Sequence, residues 1–324
     1  MTADPLTLVD WRRLDADLVV PLLDGEIAAW RRDLHWDVRD SWAAIEPARA
    51  EGRLPGLALL DADGAPKAWA CYLRHRDALQ VAMLVAESSA ATRQIVDAIA
   101  SSPEAAGTAI HIVFAREAAP GLPAALAAWG FSTAYYRYRV RRAAGLDSAP
   151  LPEARAWEPG DQDALAALFE RAYDQTSGLR AFAPRGTPEE WSDYVGMLIG
   201  GTSCGRLLPD CSLVVPSDTP GRIDGAVLST ALGPGVAHIA QIAVDPLMRR
   251  RQLGYRLLVN AAARARTSGH ELVTLLVAER NAAASALYDR LGFEDGGRFV
   301  AAVNDQPRRS TNVALDAGGA STRR

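Results

Sequence analysis

Apolar residues recur along the second half of the chain with two periods, and the switches between them mark the elements. Over residues 161–173, Leu165, Leu168, Phe169 and Ala172 fall at helical spacing, with Asp161 placed to cap the helix. Thr187-Pro188-Glu189-Glu190 reads as a helix start, with Thr as N-cap, Pro at the first helical position and Glu at the third. Trp191, Val195 and Leu198 then give that helix an apolar face. Short apolar runs at 212–215, 225–232 and 237–244 predict strands, separated by turn-forming stretches at 218–221 and 233–235. A helix is predicted over 253–267 and stopped by Gly269. A buried strand follows over 272–277, then a short helix over 282–291 between Asn281 and Gly292, then a hairpin with strands at 298–303 and 312–315. That order is a mixed α/β sheet with helices on both faces.

The first half repeats the order more faintly. Helices are predicted over 22–31, 42–50, 91–100 and 122–128, and strands over 56–60, 67–73, 79–85, 109–114 and 132–140. Leu291-Gly292-Phe293 is echoed by Trp129-Gly130-Phe131, so the chain reads as a tandem duplication whose copies have diverged. Residues 143–153, rich in Pro, Gly, Ala and Ser, read as the linker between units at 1–145 and 154–316.

Bulk properties narrow the classes. A chain of 324 residues, 49% hydrophobic and 23% charged, supports packed domains rather than disorder. A net charge of -4 with no basic stripe argues against a nucleic-acid surface. Three cysteines, none in a C-x-x-C pair, argue against a disulfide framework and zinc, and fit a reducing cytoplasm. No apolar leader or membrane-length run is read in the chain. Trp11, Trp30, Trp36 and Trp42 are read as core residues.

The candidate chemistry lies in Gln241–Leu258, QIAVDPLMRRRQLGYRLL: strand, Pro246, three arginines, Gly254, then an amphipathic helix. A helix N-terminus offers unpaired N–H groups and partial positive charge, Arg249, Arg250 and Arg251 add charge, and Gly254 permits close approach of a ligand, which together suit a pyrophosphate. An exposed basic helix start is the plainer reading of the same residues. Taken with Leu276–Phe293, LVAERNAAASALYDRLGF, the stretch resembles the two signature motifs of the GNAT acetyltransferase superfamily. The first, V-x-P-x-x-R-x-x-G-x-G-x-x-L, is matched at Val244, Pro246, Arg249, Gly254 and Leu257, with Gln252 in place of the first glycine. The second, N-x-x-A-x-x-L-Y-x-x-x-G-F, is matched at Asn281, Ala284, Leu287, Tyr288, Gly292 and Phe293.

The resemblance implies two tandem GNAT-like domains, each a mixed, mostly antiparallel sheet flanked by helices. It implies transfer of an acetyl group from acetyl-CoA to a primary amine of a small molecule by direct attack, with no metal. Main-chain groups of Ile242 and Val244 would pair with pantetheine amides. Residues Arg249, Arg250, Arg251, Gln252, Leu253, Gly254 and Tyr255 would cradle the pyrophosphate. Asn281 would bond the pantetheine arm, cap its helix, or both, and Tyr288 would protonate the departing thiolate. His238, six residues before Val244 on the same strand face, is the first candidate for the base that removes the amine proton. Histone-type members of the superfamily carry a catalytic glutamate at the matching place. Glu279 is a weaker candidate, Gln241 a substrate-orienting one, and Arg180, Phe182 and Arg185 form a substrate-loop candidate. In the first unit Ala119 falls opposite Asn281 and Leu126 opposite Tyr288, and no arginine cluster follows its third strand. That unit is read as degenerate, either stabilising the second or walling its acceptor pocket. Other acyl donors, a peptide or protein acceptor, a non-catalytic acyl-CoA sensor and a homodimer stay open at this stage. Tandem members include mycothiol-synthesising acetyltransferases, which the chain resembles in length and layout.

Overall fold

The computed structural model describes residues 5–116, 119–174, 181–201 and 204–305. The first unit runs β1 (Thr7–Asp10), α1 (Ala16–Leu34), α2 (Arg39–Trp42), α3 (Ile45–Ala50), β2 (Gly56–Leu60), β3 (Pro66–His75), β4 (Ala78–Ala86), α4 (Ser89–Ala100), β5 (Ala109–Arg116), α5 (Leu122–Ala128) and β6 (Ser132–Arg142). The second runs β7 (Arg155–Ala156), α6 (Gln162–Asp174), α7 (Pro188–Ile199), β8 (Arg206–Leu207), β9 (Leu213–Pro216), β10 (Ile223–Gly233), β11 (Val236–Val244), α8 (Leu253–Thr267), β12 (Leu272–Ala278), α9 (Ala282–Arg290) and β13 (Glu294–Asn304).

The described strands form one mixed sheet in the order β1-β2-β3-β4-β5-β13-β6-β12-β11-β10-β9-β7, with β8 beside β10. The units exchange their last strands. β13 lies antiparallel between β5 and β6 of the first unit. β6 in turn pairs antiparallel with β12 of the second, from Leu272↔Arg142 to Ala278↔Tyr136. Both strands have neighbours on both edges, which removes two edges that would otherwise stay open. Tyr138 and Phe299, on the exchanged strands, are fully buried with Leu34 of α1 in a cluster that belongs to both units. Residues 143–153 are not a free linker: Ala143 and Leu146 are buried in the core under α8.

Local sequence explains most element ends. Thr187 Oγ1 accepts the Glu190 N–H (3.3 Å), and Pro188 opens α7. Glu190 turns its carboxylate back to the N–H groups of Arg185 (2.9 Å) and Gly186 (3.0 Å). Asp161 does not cap α6 as expected. It is buried against Arg155 (2.6 Å) and closes a capping box with Glu158 one turn earlier. α1 is longer than expected because Pro21 is absorbed within it, and the helix expected over 42–50 is split into α2 and α3. The sequence reading missed β1. The last expected strand, 312–315, lies outside the described residues, and both edges of β13 are taken by first-unit strands.

Candidate active site

β11 and β12 run parallel and pair only from Val236↔Leu272 to Ile239↔Leu275. Beyond Ile239, β11 stays bonded to β10 as far as Val244, while β12 turns away toward β6. The wedge-shaped gap between them is a cavity of about 100 Å³ lined by Tyr173, Gln241, Ile242, Val277, Asn281 and Tyr288, among others. One edge of β11 is thereby left without a strand partner over the residues expected to meet pantetheine.

At the mouth of the gap, Asp245 ends β11. It is a buried carboxylate that accepts from the Leu247 N–H (3.1 Å), Arg171 Nε (2.9 Å) and Arg222 Nη2 (2.7 Å). Burial opposes its ionisation, but these bonds prevail and hold its carboxyl below the usual range. Asp245 thus locks the strand-to-helix turn. Sequence reasoning overlooked this residue and its arginines; the Asp-Pro pair was the available signal.

Pro246–Met248 form a tight turn, after which Arg250 (φ 62°) and Gln252 (φ 58°) take left-handed backbone conformations. Gln252 stands at the N-cap of α8 with no capping bond from its side chain. The first intrahelical bond runs from the Arg256 N–H to the Gln252 carbonyl, so Leu253, Gly254 and Tyr255 precede it with N–H groups that point out of the helix end. Gly254 is helical, and a Cβ there would make only ordinary contact with Val244 Cγ2 (3.6 Å), so protein packing does not require a glycine. What the glycine keeps clear is the approach to the helix end. Arg249, Arg250 and Arg251 are exposed around it, and Arg249 Nη2 also donates to the Ala172 carbonyl (2.7 Å). An uncapped helix end, three cations and a missing side chain fit a phosphorylated ligand.

Along the gap, Asn281 Oδ1 accepts the Ala284 N–H (3.2 Å), so it caps α9 while lining the cavity. Tyr288 is buried, edge-on to Phe293 at 5.6 Å, and burial pushes its phenol up to about 12. Its hydroxyl therefore keeps its proton throughout the neutral range. Tyr173 donates to Gln241 Oε1 (3.0 Å), and Gln241 Nε2 is buried beside the gap with no partner among the described residues. Such an orphaned donor is costly unless a ligand supplies an acceptor.

His238 lies on the paired part of β11. Its ring is 2% exposed, stacked between Trp36 (5.9 Å) and Tyr138 (6.1 Å), with Nδ1 bonded to Thr274 Oγ1 (2.9 Å). Burial pushes its pKa down to about 3, so the ordinary imidazole value on which a base role was expected is not kept. Glu279 is held between Arg298 (2.8 Å) and Arg137 (2.8 Å), and the Arg298 bonds keep its carboxyl low, so it is committed to structure. Arg185 pairs with Glu190 and Asp77, Phe182 packs on Tyr194 (4.4 Å), and Arg180 lies outside the described residues.

A second and larger cavity, about 580 Å³, opens on the other side of His238, Ala240 and Leu276 and is walled by both units. Trp30, Trp36 and Trp42 line it. Of the four tryptophans read as core, only Trp11 is fully buried, stacked on Trp69 at 5.9 Å. Among the described residues, no helix is long and apolar enough to cross a membrane, and no group of three or more His, Cys, Asp or Glu could hold a metal ion.

A splayed parallel strand pair, an uncapped helix end among three arginines and a buried tyrosine on the following helix thus lie along one gap. A family profile described as the acetyltransferase (GNAT) family matches residues 166–293. A mycothiol acetyltransferase of Salinispora tropica is 30% identical over 64% of this chain and 67% of its own length. That of Salinispora arenicola is 32% identical over 55% of this chain and 56% of its own, so the chain aligns with little more than half of that relative. A tandem GNAT protein from the clavulanic acid biosynthesis pathway superimposes over 93% of this chain and 98% of its own, with a TM-score of 0.52 at 17% identity. The chain belongs to the GNAT acetyltransferase family.

Proposed function

We propose that the protein is an N-acetyltransferase that moves an acetyl group from acetyl-CoA to a primary amine of a small molecule, with the second unit catalytic and the first a degenerate copy. The observation that carries this is the β11/β12 gap running from the uncapped end of α8 to Tyr288. The relatives named mycothiol acetyltransferases support a small-molecule acceptor. We take the cytoplasm as its compartment; the three cysteines, none of them in a disulfide, agree with that.

Bound acetyl-CoA supplies a thioester carbonyl open to attack by an amine. The N–H groups of Leu253, Gly254 and Tyr255, with Arg249, Arg250, Arg251 and the backbone of Gln252, hold the pyrophosphate. Main-chain groups of Ile242 and Val244 pair with the pantetheine amides, and Asn281 closes the arm from the opposite side. Gln241 Nε2 offers its unused bond to the acyl oxygen. His238, neutral at working pH, accepts a hydrogen bond from the attacking nitrogen and orients it. The amine, entering as the neutral form, gives up one proton to solvent as the C–N bond forms. Tyr288 gives one to the sulfur as the C–S bond breaks, and solvent returns it.

Calorimetric titration with acetyl-CoA, followed by turnover of Tyr288→Phe, tests this reading. Binding at one site per chain is expected, with the variant keeping that affinity and losing about 10²-fold or more in kcat. Absence of binding, or unchanged turnover, would overturn the respective part.

A further inference from the structure

The same kind of gap occurs twice. β4 and β5 pair in parallel only from Ala78↔Ala109 to Val81↔Ile112 and then part, as β11 and β12 do. In the first unit the phosphate-holding end has gone. Ser88 Oγ closes the N-terminus of α4 by accepting the Ala91 N–H (3.2 Å), and Ala119 and Leu126 occupy the places of Asn281 and Tyr288. The gap itself has not filled in. Met83, Val85, Val113 and Ala115 border it, and it opens into the 580 Å³ cavity that reaches Ala240 and Leu276 in the second unit.

That cavity crosses the exchanged strands. From the centre of one gap to the centre of the other is four strand spacings, roughly 19 Å at ~4.8 Å each. Ala82, Ala115, Ala301 and Ala240 make its floor low, and Trp30, Trp36 and Trp42 give it apolar walls. Charges on the rim cancel between the units, Arg76 with Asp193 and Arg185 with Asp77. Glu26, half-buried beside Trp30, and Arg116 bound the first-unit end.

We propose that the acceptor is a primary amine carried on an extended apolar chain. Its amino group meets the β11/β12 gap, and its chain lies across β6 and β13 into the gap kept between β4 and β5. This rests on the acetyl-transfer reading above and assigns the first unit a direct part in substrate selection. The old coenzyme cleft of the degenerate copy has become the tail slot of the acceptor site. A short amine fills only one end. Each added methylene removes apolar surface from water until the chain reaches Glu26 and Arg116.

The test is KM for linear amines from ethylamine to dodecylamine, read as coenzyme A release at saturating acetyl-CoA, for the native protein and Ala82→Trp. Ala82 is exposed on the cavity floor and remote from the coenzyme site, so the variant keeps its fold and its acetyl-CoA affinity. The expected KM falls about threefold to fourfold per methylene and then levels off. In Ala82→Trp the gain for octylamine disappears while propylamine is unchanged. A KM independent of chain length, or an equal effect of Ala82→Trp on propylamine and octylamine, overturns the proposal. Calorimetric titration of octylamine into the coenzyme A-loaded protein reads the slot without turnover. Octylamine binding that Ala82→Trp abolishes supports the slot even if no amine is acetylated, an outcome that sinks the transfer reading alone. Binding no tighter than that of propylamine overturns the slot alone.

Discussion

Replacing Gln252 by glycine should stabilise the protein. Gln252 holds φ 58°, a conformation in which the Cβ of an L-residue crowds the following carbonyl, at about 1–2 kcal/mol. Its side chain is exposed and caps nothing, so its removal forfeits little. Glycine adopts the same φ without the clash and loses some of that gain to its freer unfolded chain, roughly 0.5–1 kcal/mol. The net expectation is about 1 kcal/mol, or a rise in Tm of about 2 °C for a chain of this size. Scanning calorimetry of Gln252→Gly beside Gln252→Ala isolates the cause. Alanine also removes the long side chain but keeps the Cβ and the strain, so it should not raise Tm. Equal shifts for the two variants, or a lower Tm for glycine, would refute the backbone argument. The scan repeated with acetyl-CoA at about 100-fold over Kd adds roughly 2.7 kcal/mol to any variant that binds as the native protein does. A larger increment for both variants would show that the glutamine side chain crowds the pyrophosphate.

His238 stays neutral above about pH 4, so kcat/KM should show no inflection near the ordinary imidazole value. An inflection near pH 6.5 that His238→Ala removes would overturn the assignment of a buried neutral ring. Asp245→Asn should cost on the order of 3 kcal/mol in urea unfolding, because Arg171 and Arg222 lose their shared anion. The folded pKa of Asp245 lies below its unfolded value near 3.9. Its stabilisation is therefore full above that value and lost as pH falls through the folded pKa, so the variant should flatten the acid limb of stability below about pH 4. Phe299→Ala, at a fully buried site between the units, should cost about 3–5 kcal/mol and lower a single calorimetric transition. Two separate transitions would show that the exchanged strands do not couple the halves.

What the sequence revealed was local. α8 begins and ends where the periodicity placed it, and Gly269 takes the left-handed φ of 86° expected just past a helix. Thr187-Pro188 opens α7 because its capping partner lies three residues away. The failures were non-local. Alternation along 132–140 and 298–303 marks residues that face a core, but a strand looks the same whichever strand lies beside it, so the exchange of β6 and β13 left no local trace. The depressed pKa of His238 arises from Trp36 and Tyr138, which no pattern around residue 238 could bring to it. Gln252 was visible as a departure from the family motif, but the physical need for the glycine, a left-handed φ, became clear only from the backbone.

The strand exchange also ties the two gaps to one another. Had each unit kept its own last strand, the two gaps would belong to separate sheets, and the first unit could be lost at little cost to the second. Here β12 depends on β6 for its partner from Leu272 to Ala278, the stretch that swings away from β11 and so opens the gap. Two features part the pair there: β11 carries a bulge at Ala240 against β10, and β12 stays paired to β6 as far as Ala278. The first unit therefore shares in holding the gap open. The first unit shows the same arrangement in reverse, with a bulge in β4 at Ala82 against β3 and with β13 paired to β5 as far as Arg116. Each gap is thus bounded on one side by a strand whose other neighbour comes from the opposite unit.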